Sequence, residues 1–294
     1  MDDIYGGRLP EIKALELEIL KEVDRICKKH EIRYFLAGGS LLGAVRHHGF
    51  IPWDDDLDIA MLRPDFERFR RVCPKELDER FFYQSYRTEE NAHFIFDKIR
   101  LKGTVFKTKF SSHFDIENGI FLDILVYDIT GDDERSQMKQ CRAIYRKNAI
   151  LNIRWVGKPE RGNHFLLAAL ALPFLKMKSY ERYHSELEGE MLRYEKADGS
   201  LKEGSASGHF LIDSTGMNIL KGAFPAEWFE ETIEMEFEGG FYPVPIGFDD
   251  YLRHWYGQDY MELPPEEKRN SGHDLLEVDL GPYETRQEGT ADYE

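Results

Sequence analysis

Residues 38–61 read GGSLLGAVRHHGFIPWDDDLDIAM, and the fold of the chain turns on them. A Gly38-Gly39-Ser40 turn is followed by four carboxylates packed into one short segment, Asp54, Asp55, Asp56 and Asp58. Like charges repel, and each costs free energy beside a low-dielectric core. Ile51 to Leu62 alternates at period two, which puts Asp54, Asp56 and Asp58 on one face of an extended segment and Leu57, Ile59 and Met61 on the other. An acidic cluster that runs straight into core-like sequence points to a divalent cation and to magnesium-dependent phosphoryl transfer. A solvated acidic turn is the alternative, and it leaves Leu57, Ile59 and Ala60 unexplained.

Ahead of this stretch, Ile12, Leu15, Ile19, Leu20, Val23, Ile26 and Cys27 recur at helical spacing behind Pro10, which predicts an amphipathic helix over 10–30. Tyr34 to Ala37 is a short apolar strand candidate running into the glycines. Leu41, Leu42 and Val45 then fall on one side of a short helix, with Ser40, Gly43, Ala44 and His47 on the other. Strand, glycine turn and helix start make a phosphate cradle, with Gly39 and Ser40 as its candidate residues. An ordinary strand-to-helix turn is the alternative.

Beyond the stretch, Arg63 to Leu77 predicts a helix, and His93 to Leu101 a strand with Phe94, Phe96, Lys98 and Arg100 on one face. Gly119 to Val126, GIFLDILV, is nearly all apolar and predicts a central strand whose one ionisable side chain is Asp123. Asp56 and Asp58, two apart, can chelate together, and Asp123 is the further carboxylate that a two-metal site requires. For Asp123 the alternative is a buried carboxylate paired with an arginine. Lys98 and Arg100 are candidates to neutralise substrate phosphates. His47 and His48 are candidates for substrate contact, with a capping or surface position as the alternative. Residues 132–197 read as helical, Phe237 to Val244 as strand and turn, and a helix follows from about Asp249. The expected organisation is a catalytic core with its N-terminal helix over 1–130 and a mainly helical region on the acceptor side over 131–220. A segment packing back on the core follows over 221–280, then a disordered tail over 281–294.

Bulk properties narrow the class. With 294 residues and 41% hydrophobic content, the chain suits one large globular domain or a core with an elaborated subdomain. Its net charge of −16 argues against a nucleic-acid partner. Cys27, Cys73 and Cys141 are scattered, which fits a reducing cytoplasm rather than a disulfide framework. The acidic start, MDDIYGGRLPE, does not read as a signal peptide. The apolar run FLLAALALPFL, 165–175, is too short to span a bilayer. A buried helix is expected there, with in-plane membrane contact beside Lys176 and Lys178 as the alternative.

The spacing of Gly38-Gly39-Ser40 to Asp56-Leu57-Asp58 resembles the signature of the nucleotidyltransferase-fold superfamily. More narrowly, GGSLLGAVRHHGFIPWDDDLDIAM is similar to the hallmark of the LicD family, with supporting matches in KIRLKGTVF (98–106), GIFLDILVYD (119–128) and YLRHWYGQDYMELPPEEKRNSGHD (251–274). The resemblance implies an α/β (α+β) fold: a mixed, twisted sheet flanked by helices, with a helical insertion. It also implies magnesium-dependent (or manganese-dependent) transfer of a phosphoalcohol, phosphocholine first among the candidates, from a CDP-linked donor to a sugar hydroxyl of a cell-surface glycan or glycolipid precursor. Phosphorylated ribitol is the group moved by the fukutin relatives.

By position, Asp56, Asp58 and Asp123 would be catalytic and hold the metals, Asp123 on the nucleophile side where it would assist proton removal. Asp54 matches another recurrent acidic position. Gly39, Ser40, His47, Lys98 and Arg100 would serve the donor. The same carboxylates would equally serve a nucleotidyltransferase moving NMP from an NTP, and a non-catalytic cation-binding protein is a third reading. A choline donor calls for an aromatic cage, for which Trp53 beside the aspartates is one candidate. Localisation is expected to be cytoplasmic, with peripheral contact at the inner face of the cell membrane as an added expectation.

Overall fold

The protein is described by a computed structural model covering residues 5–157, 165–202, 206–215, 219–269 and 273–284. Helix α1 (Leu9–Lys29) enters with Pro10 in its first turn, where a missing N–H costs nothing, and buries Ile12, Ile19, Leu20, Val23 and Ile26. Strand β1 (Phe35–Leu36) leads into α2 (Gly38–His47), then β2 (Asp58–Leu62), α3 (Arg63–Glu76), β3 (Phe81–Gln84), β4 (Asp97–Leu101), β5 (Val105–Thr108) and β6 (Phe121–Ile129). Three helices follow, α4 (Glu134–Val156), α5 (Phe165–Lys176) and α6 (Tyr180–Met191). The chain closes through β7 (Phe210–Asp213), β8 (Phe224–Pro225), the hairpin β9 (Thr232–Phe237) and β10 (Gly240–Pro245), α7 (Phe248–Tyr256) and β11 (Leu275–Asp279).

Seven strands form one mixed sheet along the path β1-β2-β6-β4-β3, with β7 joined to β6 and β8 to β7. The β2–β6 pair is parallel; β1, β4 and β7 run antiparallel to their neighbours. Strand β6 is central, as its apolar sequence requires, and α1 and α3 pack on β2, β4 and β6. Pairing register decides the site. Asp58 lies opposite Asp123, and Asp123 opposite Lys98, so three ionisable residues form one row across β2, β6 and β4. Paired residues project to the same side. The alternate side carries Ile59, Met61, Leu122, Ile124, Ile99 and Leu101, all buried.

Two expected elements differ from the sequence reading. The extended segment expected over 51–62 is a strand only from Asp58, and Asp54 to Leu57 form an irregular loop after a turn at Pro52 and Trp53. In the loop Asp55 turns inward to Tyr5 and His273 while Asp54 lies against Gly39, an arrangement a regular pleat does not give. The strand expected from His93 begins at Asp97.

In α5 the expected burial fails over the final turn, where Phe174 is 74% exposed; Met177, just beyond, is 84% exposed. The side chains of residues 165–170 lie outside the described residues. Residues 281–283 close a turn, and Arg8 pairs with Glu284 at 2.8 Å. The rest of the expected tail, 285–294, lies outside the described residues. The β9–β10 hairpin turns on Glu238 and Gly239, both at positive φ, and the Glu238 carboxylate accepts the N–H of Phe50 at 3.0 Å.

Candidate active site

The Asp58–Asp123–Lys98 row floors a cavity of about 530 Å³. Asp56 and Arg100 line it as well, so Asp56, Asp58, Asp123, Lys98 and Arg100 are brought together as the sequence pattern predicts. Gly39, Ser40 and His47 stand behind or beside it. The two glycines seat carboxylates: a Cβ on Gly38 would stand 2.9 Å from Asp58 Oδ2, and one on Gly39 would stand 2.7 Å from Asp54 Oδ2. Gly38 also needs its positive φ of 52°. Ser40 is buried, and its hydroxyl oxygen accepts the Asp58 N–H at 2.8 Å, tying the start of β2 to the first turn of α2. His47 accepts from Arg46 Nε at 3.0 Å and meets Trp53 edge-on, while Arg269 lies over the Trp53 ring. Trp53 is therefore occupied outside the cavity.

Lys98 Nζ donates to Asp123 Oδ1 and sits over the rings of Phe121, Phe96 and Phe94 at 3.9, 4.8 and 5.4 Å. The partner of the isolated strand carboxylate is thus a lysine of the neighbouring strand. Arg100 donates to Gln84 Oε1 and to the Gly119 carbonyl, both at 2.8 Å, which fixes its guanidinium against Phe121.

Asp55 differs from its neighbours. It is fully buried, one oxygen accepting from the Tyr5 hydroxyl and the other bonded to His273 Nδ1, each at 2.8 Å. One oxygen of each of Asp54, Asp55 and Asp56 lies within 4.8 Å of the others. Among the described residues, that group does not extend to Asp58 or Asp123, whose carboxylate is drawn to Lys98.

Electrostatics report the crowding. Desolvation, followed by Asp56 and Asp55, pushes Asp54 up to about 8. Desolvation, with Asp55 and Asp123 behind it, pushes Asp56 up to about 6 in spite of His273. Asp58 is raised well above the carboxylate range by desolvation and then by Asp56, Asp123 and Asp54. Behind them Glu16, fully buried with both oxygens unpartnered, is raised by burial and then by Asp56, Asp55 and Asp54. An all-oxygen donor set in which repulsion outweighs the nearby cations fits a hard divalent cation.

The linkage has a definite sign. Asp54 and Asp56 hold protons more tightly folded than at their ordinary 3.8. Their contribution to stability is present below about pH 4 and is lost as pH rises through 6 and 8. Metal-free protein is therefore expected to lose melting temperature between pH 5 and pH 8.5. Saturating Mg2+ should restore roughly 5 °C at the alkaline end and less at the acid end. Thermal scans with and without chelator check this; an equal or absent magnesium effect at both ends contradicts it.

Several cavity residues escaped the sequence reading. Helix α4 contributes Asn148, Asn152 and Trp155, spaced to share one helical face. Tyr251, Trp255 and Tyr256 come from α7, and His273 from the approach to β11, which pairs with β5. The α4 spacing was a readable signal, and so was the place of His273 in the 251–274 segment. With Phe94, Phe96, Phe106, Phe110 and Phe121, these residues make the walls strongly aromatic.

A mixed sheet of this topology, with a glycine turn, an Asp-x-Asp pair and a third carboxylate on the adjacent strand, defines a nucleotidyltransferase-like domain. Residues 31–156 match the family model described as LicD/FKTN/FKRP, nucleotidyltransferase domain. The lipopolysaccharide cholinephosphotransferase LicD of Haemophilus influenzae is 30% identical over 268 residues, covering 90% of this chain and 96% of that protein. The ribitol 5-phosphate transferase FKRP of Mus musculus is 44% identical over 86 residues, 27% of this chain and 17% of that one. The chain belongs to the LicD family.

Proposed function

We propose that this protein transfers a phosphoalcohol, with phosphocholine as the leading candidate, from a CDP-linked donor to a sugar hydroxyl of a cell-surface glycan or glycolipid precursor, releasing CMP. The observation that carries the reading is the Asp58–Asp123–Lys98 row at the floor of an aromatic-walled cavity, in a chain that aligns along nearly all of a cholinephosphotransferase. Aromatic faces suit a quaternary ammonium.

Asp56, Asp58 and Asp123 would hold Mg2+, with Mn2+ as the alternative ion; bound there, the metal would supply charge neutralisation for the diphosphate. Asp54, against Gly39, would complete the acidic rim. Lys98 would balance negative charge on the departing CMP, and Arg100, fixed by Gln84 and Gly119, would hold Phe121 and the cavity wall. The α2 start, with Gly39 and Ser40, would orient donor phosphates through backbone N–H groups. His47 would act from outside the cavity rim. Asn148, Asn152 and Trp155, which line the cavity from the helical region, would contact the acceptor.

The test is CMP release in the presence of Mg2+ from CDP-choline, CDP-ribitol and CDP-glycerol in turn. Release from one donor, dependent on the metal, is expected; silence from all three, with NTP consumption instead, would overturn the reading.

The reaction would take place in the cytoplasm, a reading that three buried free thiols support. Among the described residues no helix is long and apolar enough to cross a membrane. Phe174 and Met177, exposed beside Lys176 and Lys178, support peripheral contact with a membrane carrying a lipid-linked acceptor. Co-flotation of the intact protein with anionic vesicles, weakened by Phe174→Ser with Met177→Ser, is the expected result. Absence of co-flotation removes this part of the reading.

A further inference from the structure

We propose that His273, held by Asp55, is the general base that takes the proton from the acceptor hydroxyl. The inference rests on the phosphoalcohol-transfer reading above and assigns a residue to its least defined step. Three observations carry it.

His273 Nδ1 is 2.8 Å from Asp55 Oδ1, and Asp55 is fully buried, its other oxygen accepting from Tyr5. The carboxylate therefore fixes the ring and its tautomer: Nδ1–H donates to Asp55, leaving the Nε2 lone pair as the basic site. His273 also lines the cavity that holds Asp56, Asp58 and Asp123, and among the described residues lining that cavity it is the one imidazole. Finally, Asp123, the other candidate for the proton, bonds the Lys98 ammonium and on the reading above would be given over to the metal.

The ring is held from each side. Phe106 of β5 and Phe121 of β6 meet it edge-on at 6.2 Å, and the β5–β11 pairing anchors the backbone next to it, with Lys109 N–H donating to the Asp274 carbonyl at 2.7 Å. The charged groups that face it are Asp54, Asp55 and Asp56 from the loop before β2 and Lys98 from β4. Burial lowers the basicity of the imidazole, and the hydrogen bond to buried Asp55 raises it. A ring with these neighbours is stabilised once it carries the proton, as a base acting on a hydroxyl requires.

The step balances as follows. The acceptor oxygen forms a bond to the phosphorus that bears the alcohol. The bond from that phosphorus to the oxygen bridging towards the CMP phosphate breaks, and its electron pair leaves on CMP. The hydroxyl proton passes to His273 Nε2 and is later lost to solvent.

The test compares wild type, His273→Gln and Asp55→Asn as magnesium-loaded full-length chains turning over CDP-choline. Gln at 273 is expected to lower kcat about 100-fold or more while KM for CDP-choline stays within about threefold. In wild type, kcat rises with pH along an acid limb; Asp55→Asn is expected to move that limb to lower pH, because the anion that raises the ring's basicity is gone. A His273→Gln enzyme with more than about a third of wild-type kcat, a loss confined to KM, or an unmoved acid limb in Asp55→Asn would overturn the assignment.

Imidazole 15N spectra of the wild-type protein, independent of how the variants fold, are expected to show neutral His273 protonated at Nδ1; protonation at Nε2 instead would also overturn it. Failure of the transfer reading looks different: wild type then releases no CMP from any of the three CDP-alcohols, whatever stands at 273.

Discussion

Asp58→Asn is expected to lower phosphoalcohol transfer by at least about 10³-fold, equivalent to about 4 kcal/mol of transition-state stabilisation, while leaving the fold intact. The expectation comes from position. Asp58 begins β2, pairs in register with Asp123, and points its carboxylate at the first turn of α2, where Gly38 leaves room for it. Lys98 offsets only part of this, since its ammonium is bonded to Asp123, and desolvation with Asp56, Asp123 and Asp54 prevails.

A carboxylate so placed opposes folding, and on the proposed reading it would serve the reaction. Metal-free Asp58→Asn protein should therefore melt higher than wild type, by about 2 °C or more, because one of four mutually repelling groups becomes neutral. Activity lost together with melting temperature would mean that Asp58 is structural. Activity lost as melting temperature rises is the signature of a charge retained for function.

The largest expected stability effect lies away from the cavity floor. Arg63 is 2% exposed at the start of α3 and grips Asp128 of β6 with two contacts, Nε to Oδ1 at 2.6 Å and Nη2 to Oδ2 at 2.8 Å. Asp128 is fully buried and also accepts from the Ser214 hydroxyl, and Arg63 reaches Glu67 at 3.2 Å. Truncating the arginine leaves an uncompensated carboxylate in the interior. Arg63→Ala is expected to cost about 3–5 kcal/mol, lowering the melting temperature by roughly 6–15 °C in a chain of this size. Replacing both partners, Arg63→Met with Asp128→Leu, should recover much of that loss, since the cost belongs to the unpaired charge. Chemical denaturation of the two variants checks this; a single variant no less stable than the double one contradicts it.

The parts of the structure that were legible in the sequence follow from local rules. The α1 stripe, the Pro at the head of α1 and the apolar run of β6 fixed their elements because periodicity and burial are local properties. The row of Asp58, Asp123 and Lys98 was legible as residue types, yet its geometry depends on strand register, and register is set by pairings between segments far apart in sequence. For the same reason the loop at 54–57 escaped the reading. Its alternation matched a strand, and only the burial of Asp55 against Tyr5 and His273 and the seat of Asp54 at Gly39 show why it is not one.

His273 and Asp55 are 218 residues apart, and nothing in either neighbourhood names the other. Asn148, Asn152 and Trp155 share a helical face that reads as ordinary amphipathicity until α4 is seen beside the cavity. Burial of the 165–175 run was a fair inference from composition. Phe174 shows that an apolar helix can keep one end in water when nothing packs over it.

The central claim is that this carboxylate row moves a phosphoalcohol rather than a nucleotide. Its most direct test uses CDP-choline labelled separately in the choline half and in the cytidine half, with Mg2+ and a lipid-linked or oligosaccharide acceptor. The account predicts that choline label enters the acceptor while cytidine label appears only in CMP, and that both the transfer and the CMP release cease in Asp58→Asn. Cytidine label in the acceptor, or choline transfer that survives Asp58→Asn, would contradict it.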